Sequence, residues 1–238
     1  MRAQSHVIGA ALMIGLAVVA LAALTVGVGS VLESQAAGAD ADRMATTMSE
    51  TLEGVEQTGA YSQRVDFAEG RLTTEERTLR IFDGDGEVSH AVRVDALVFE
   101  SGDRRVTSVA GAVIRGEGET AWLDSEPPVV GSAETGVLYV GAPVLGETNI
   151  STTGAGGTAV TFATNVSHDE VSLGTDEFTV AIETETPEPL ERFFEEQGAT
   201  IDRQQFEDDT HESVLAQYPD EREGYLIIHD LALEVRHG

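Results

Sequence analysis

From Val7 to Leu32 the chain runs for 26 residues without a charged side chain. As a helix this run would reach about 39 Å, more than the roughly 30 Å hydrocarbon core of a bilayer. It predicts a transmembrane helix over 7–32. Arg2 and the amino terminus precede it; Glu33, Asp40 and Asp42 follow it. The positive-inside bias then makes residues 1–6 a short cytoplasmic leader and puts everything past Leu32 outside the cell membrane. A cleavable secretory signal with its site near Gln35–Ala39 is one fate of the run, although such signals have an apolar stretch of only about 7–15 residues. An uncleaved single-pass anchor in contact with lipid is a second.

Helical periodicity continues beyond the run. Small or apolar residues recur at Ala37, Ala41, Met44, Met48, Leu52 and Val55, spaced by four and three. That stripe predicts an amphipathic stalk over 33–60, ending near Gln57 because Gly54 and Gly59 weaken it. Met44, Met48 and Leu52 are expected to pack beneath the protein's own head.

Residues 61–238 change period and predict a β-rich head. Gln63–Ala68 alternates, Glu69-Gly70 signals a turn, and Arg77–Phe82 reads as a strand. Asp83-Gly84-Asp85-Gly86 then makes a hairpin turn before Glu87–Val94. Further strands are expected at Ala96–Glu100, Arg105–Val109, Ala112–Arg115, Ala121–Asp124, Gly136–Val140 and Ala159–Thr164. Others follow at Phe178–Thr184, Thr200–Phe206, Ser213–Tyr218 and Tyr225–His237. Thr186-Pro187-Glu188 starts one short helix with Leu190, Phe193 and Phe194 on its apolar face, stopped by Gly198. The expected fold class is α+β, mainly β: a long N-terminal transmembrane and stalk helix, then an antiparallel β-sandwich-like head with one short helix.

Charge narrows the function classes. The formal charge is −28, and all fourteen cationic side chains are arginine. Nucleic-acid phosphates would be repelled. With no cysteine, disulfides, thiolate metal sites and cysteine nucleophiles are excluded. An acid-rich, lysine-free chain repels itself in dilute buffer and is screened in concentrated salt, which points to a halophilic source.

The N-terminal residues MRAQSHVIGAALMIGL resemble the class III signal of archaeal type IV pilins and archaellins. The resemblance implies cleavage by a prepilin-type peptidase between Ala3 and Gln4, and partners in a pilus assembly machinery. Bacterial pilins carry Glu at the fifth mature position, where this chain has Ile8. Val94–Glu100, Asp103–Val106, Ala110–Gly116 and Ala121–Leu123 with Pro127-Pro128 resemble an uncharacterised haloarchaeal family of pilin-like membrane proteins. That likeness implies no activity.

The small-residue steps Ala11/Gly15 and Ala23/Gly27 would let helices of homo- or hetero-filament subunits approach closely. Asn149-Ile150-Ser151 and Asn165-Val166-Ser167 fit the N-glycosylation acceptor. No GxSxG, Walker A or HExxH motif occurs, so no catalytic, cofactor or metal residue is nominated. Asp83-x-Asp85-Gly86 lacks the remaining ligands of a calcium loop. His168-Asp169-Glu170 reads as a solvated loop, His229 as a structural histidine, Ser151–Thr158 as a flexible loop and Arg104-Arg105 as a turn-edge pair. The expected protein is a pilin-like cell-surface structural or adhesive subunit, not an enzyme. A single-pass surface binding module that does not assemble is the alternative.

Overall fold

The computed structural model describes residues 13, 15, 16, 18, 19, 33–51, 57–118, 120–146 and 149–237. Helix α1 occupies 33–51. Ala37, Ala41, Met44, Ala45 and Met48 are all buried, the two methionines completely. They recur along one side of the helix, which is why it lies flat on a sheet rather than standing clear of the head.

That sheet begins with β1 (Gly59–Glu75), whose partners are β4 (Ala96–Ser101) and β10 (Ser151–Glu183). β5 (Arg104–Val109), β6 (Ala112–Glu117) and β7 (Thr120–Ser125) continue it as successive hairpins. On the other side, β10 pairs with β12 (Ser213–Asp230), which leads to β9 (Val137–Val144) and β8 (Val129–Ser132). β2 (Thr78–Phe82), β3 (Val88–Arg93), β11 (Thr200–Gln204) and β13 (Glu234–His237) join off this path. Helix α2 (Pro187–Glu196) has proline in its first turn; Thr186 precedes it without a side-chain cap bond.

The strand β4 explains the layering. Leu97 and Phe99 face one core with α1, while Ala96 and Val98 face a second core. That second core also holds Ile81, Val140, Phe178, Leu226 and, from α2, Leu190 and Phe194. A strand buried on both faces needs a continuous apolar run, and Ala96–Phe99 supplies it. The result is a helix, a sheet and a second sheet stacked in that order, with β10 long enough to run through both sheets.

Several expectations are corrected. Among the described residues, no helix is long and apolar enough to cross a membrane. The expected long N-terminal transmembrane and stalk helix is therefore not borne out, and the single-pass membrane localisation and the membrane and transmembrane assignments drawn from it lose their support. The described helix 33–51 carries Glu33, Asp40, Asp42, Arg43 and Glu50, and its apolar side is taken up by the sheet. Of 7–32, the structure describes Met13, Gly15, Leu16, Val18 and Val19, which are helical and exposed; the rest of that span lies outside the described residues.

The head is also not purely antiparallel, because β9 and β12 run parallel from Val137/Glu223 to Val144/Asp230. Long strands replace expected turns. Glu69-Gly70 lies inside β1, where a register shift between Phe67 and Glu69 marks a bulge. Ser151–Thr158 and His168–Glu170 lie inside β10.

Candidate functional site

Charged side chains gather where the end of β1, the start of β2 and the loops around β10 and β12 converge. Arg77 and Glu183 are both nearly fully buried. The Glu183 carboxylate accepts the backbone amides of Thr78 (3.1 Å), Thr210 (2.9 Å) and His211 (3.1 Å). Three converging N–H groups satisfy this carboxylate in place of water. They also fix the backbone on both sides of the site.

Glu75 stands beside this latch. Its Oε2 accepts from Arg77 at 2.6 Å and from Arg105 at 3.5 Å. Arg105 in turn pairs with Glu100 at 2.8 Å and with Glu185. One ligand atom each from Glu75, Glu185 and His211 lies within 4.8 Å of the others. No contiguous motif contains these three residues. They arrive from the end of β1, the loop before α2 and the loop before β12, so linear spacing carried no signal.

The same Glu75 borders a cleft of about 810 Å³ lined by Glu76, Asp95, Asp230 and Arg93 among others. Arg93 spans its wall, pairing with Asp95 at 2.8 Å and Glu76 at 3.0 Å. The hydrogen bond to Asp95 is the main cause of a raised Arg93 pKa. A smaller cleft of about 310 Å³ adjoins it, with Arg71 and Glu100 in its wall.

Asn149 lines both clefts and is exposed in the connection between β9 and β10. Asn165 is exposed as well but sits within β10, where its backbone amide donates to Leu231 O at 2.8 Å. Ala3, Gln4, Ala11, Ala23 and Gly27 lie outside the described residues. At Gly15 an added Cβ would meet nothing within 4 Å.

His168 and His229 face each other across β10 and β12, with Nδ1 to Nδ1 at 2.9 Å and rings nearly perpendicular at 87°. A hydrogen bond there needs one nitrogen protonated and the other bare. Asp83–Gly86 forms a hairpin turn, with Gly86 N donating to Asp83 O at 3.0 Å. Arg104 pairs with Glu117 and Asp103 at the β5 edge.

A helix laid on a mixed β-stack with an acidic cleft is the class that the geometry defines. By sequence, the chain belongs to the family of unknown function DUF7289, whose model matches residues 2–234. No curated protein and no solved structure matches it.

Proposed function

We propose that the protein is a structural or adhesive subunit, in the pilin-like role that its N-terminal resemblance implies. The observation that carries it is α1. Met44 and Met48 seal the helix into the sheet, so the segment before residue 33 is attached to a rigid body and can hold that body against neighbours. The exposed apolar residues Met13, Leu16, Val18 and Val19 belong to that leading segment and are suited to contacts between chains. The prepilin-type peptidase and the assembly machinery are the partners this role requires.

The test is cross-linking of the native protein followed by mass spectrometry. Links between copies or to a partner chain through residues 4–19, on a protein whose first residue is Gln4, support the reading. An intact Met1 start with only intramolecular links overturns it. The acidic cleft beside Asn149 favours the second reading, a binding module that does not assemble, and that second result would select it.

A further inference from the structure

We propose that Glu75, Glu185 and His211 bind a divalent first-row transition ion of the Zn²⁺ or Mn²⁺ class. The proposal stands independently of any structural or adhesive role.

The donor set comes first. Two carboxylates with one imidazole form a mixed oxygen and nitrogen site, which suits zinc or manganese; calcium and magnesium prefer oxygen alone. The spacing comes next. The three ligand atoms lie within 4.8 Å of one another, yet among the described residues the His211 ring forms no hydrogen bond or ion pair. The imidazole is thus too far from both carboxylates to bond to them directly. An ion would draw them together, since two bonds of about 2.1 Å at a tetrahedral angle span about 3.4 Å. Closing the set from at most 4.8 Å to that span needs a shift of up to about 0.7 Å per side chain.

The surroundings supply the support such a site needs. Arg77 and Arg105 both bond Oε2 of Glu75, and Arg105 contacts Oε2 of Glu185. No hydrogen bond reaches Oε1 of either carboxylate among the described residues. The arginines therefore orient each carboxylate by one oxygen and leave the other available, as outer partners of metal ligands do. Glu183 holds the His211 amide at 3.1 Å and the Thr78 amide, next to Arg77, at 3.1 Å. His211 is thus fixed relative to the strand end that carries Glu75, without help from an ion.

The main competing explanation of any binding is diffuse attraction to a chain of charge −28. Glu76 separates the two: it is exposed, pairs with Arg93 at 3.0 Å and lies outside the triad. Full-length protein is titrated with Zn²⁺ by calorimetry, and with Mn²⁺ by electron paramagnetic resonance, in excess Mg²⁺ to occupy non-specific acidic sites. One ion per chain is expected to bind. His211→Asn and Glu185→Gln should each weaken binding at least tenfold, while Glu76→Gln changes it less than twofold. Zn²⁺ should raise the Tm of the unaltered protein but not of His211→Asn, whose own Tm without metal reports whether it folds. No saturable binding in excess Mg²⁺, or equal losses for Glu76→Gln and His211→Asn, overturns the site.

Discussion

The carboxylate of Asp40, buried in α1, accepts the backbone amide of Ala68 at 2.7 Å. A second bond from Glu69 N at 3.2 Å falls on the same oxygen. The other oxygen accepts from Arg43 at 2.6 Å, and Arg43 also donates to Asp66 O at 2.9 Å. The helix therefore grips β1 at its bulge, where the ladder leaves backbone amides without strand partners. Asp40→Ala would strand two amides and is expected to cost about 2–4 kcal/mol. Asp40→Asn keeps one acceptor oxygen and should cost less. Urea unfolding followed by circular dichroism measures both; equal stability of Asp40→Ala and the parent would show that the grip contributes nothing.

Met48 tests the packing of the same helix. It is fully buried in the core formed with Val65, Phe67 and Phe99. Met48→Glu places a charge there without a partner and should abolish cooperative unfolding or lower stability by several kcal/mol. Met48→Leu, close in volume, should cost under about 1.5 kcal/mol. A melt of Met48→Glu matching the parent's would mean that α1 detaches without consequence.

Tyr218 gives the pH dependence. Burial pushes its hydroxyl up from 10.0 to about 12, with Arg222 opposing in part. A folded-state pKa above the unfolded one means that the native state holds the proton longer. The contribution is full below about pH 10 and disappears as pH rises towards 12, amounting to on the order of 2 kcal/mol. Absorbance at 295 nm during an alkaline titration should show one tyrosine ionising together with loss of near-ultraviolet dichroism. Tyr225 is also raised, by its hydrogen bond to Glu223, but it is only partly buried and should ionise without unfolding. Tyr218→Phe should remove the coupled step; its persistence would assign it elsewhere.

Salt should stabilise the fold. Ion pairs bring arginines to many surface carboxylates, yet 42 acids face only 14 arginines, so repulsion remains. Thermal melts of residues 33–238 should be cooperative in molar salt and lose structure below about 0.1 M, where the screening length grows to about 10 Å. A Tm independent of salt would show that the acid excess is not coupled to folding.

Apolar runs and turn chemistry made part of this architecture readable beforehand. The apolar residues of Ala96–Glu100 announced a strand, and the structure shows why they are apolar, since both faces of β4 are covered; Asp83–Gly86 announced its turn through local residue type alone. Glycine misled the reading. Gly70 reads as a turn and Gly154 as part of a flexible loop, but each lies in a strand where a side chain needs the space of a Cβ. A Cβ on Gly70 would sit 2.5 Å from the Phe99 ring, and one on Gly154 would sit 2.5 Å from Phe67. Glycine chosen for close approach and glycine chosen for a turn are identical in sequence. The apolar run at 7–32 fitted a bilayer by length alone. Glu75, Glu185 and His211 were beyond linear reading for a different reason: β1 and the loops flanking α2 and β12 meet only once β10 has paired with both sheets.

That long strand also determines how the molecule bears load. β1 and β13 lie on opposite edges of the same stretch of β10, with Val160 facing Val65 on one side and His237 on the other. Both strands run antiparallel to β10 and so point the same way. Tension applied through α1 to the start of β1, and opposed at the end of β13, would pull the two edges lengthwise in opposite directions past β10. The hydrogen bonds lie across that direction, so they resist together instead of parting one after another, a geometry in which the strand ladder acts as a tether.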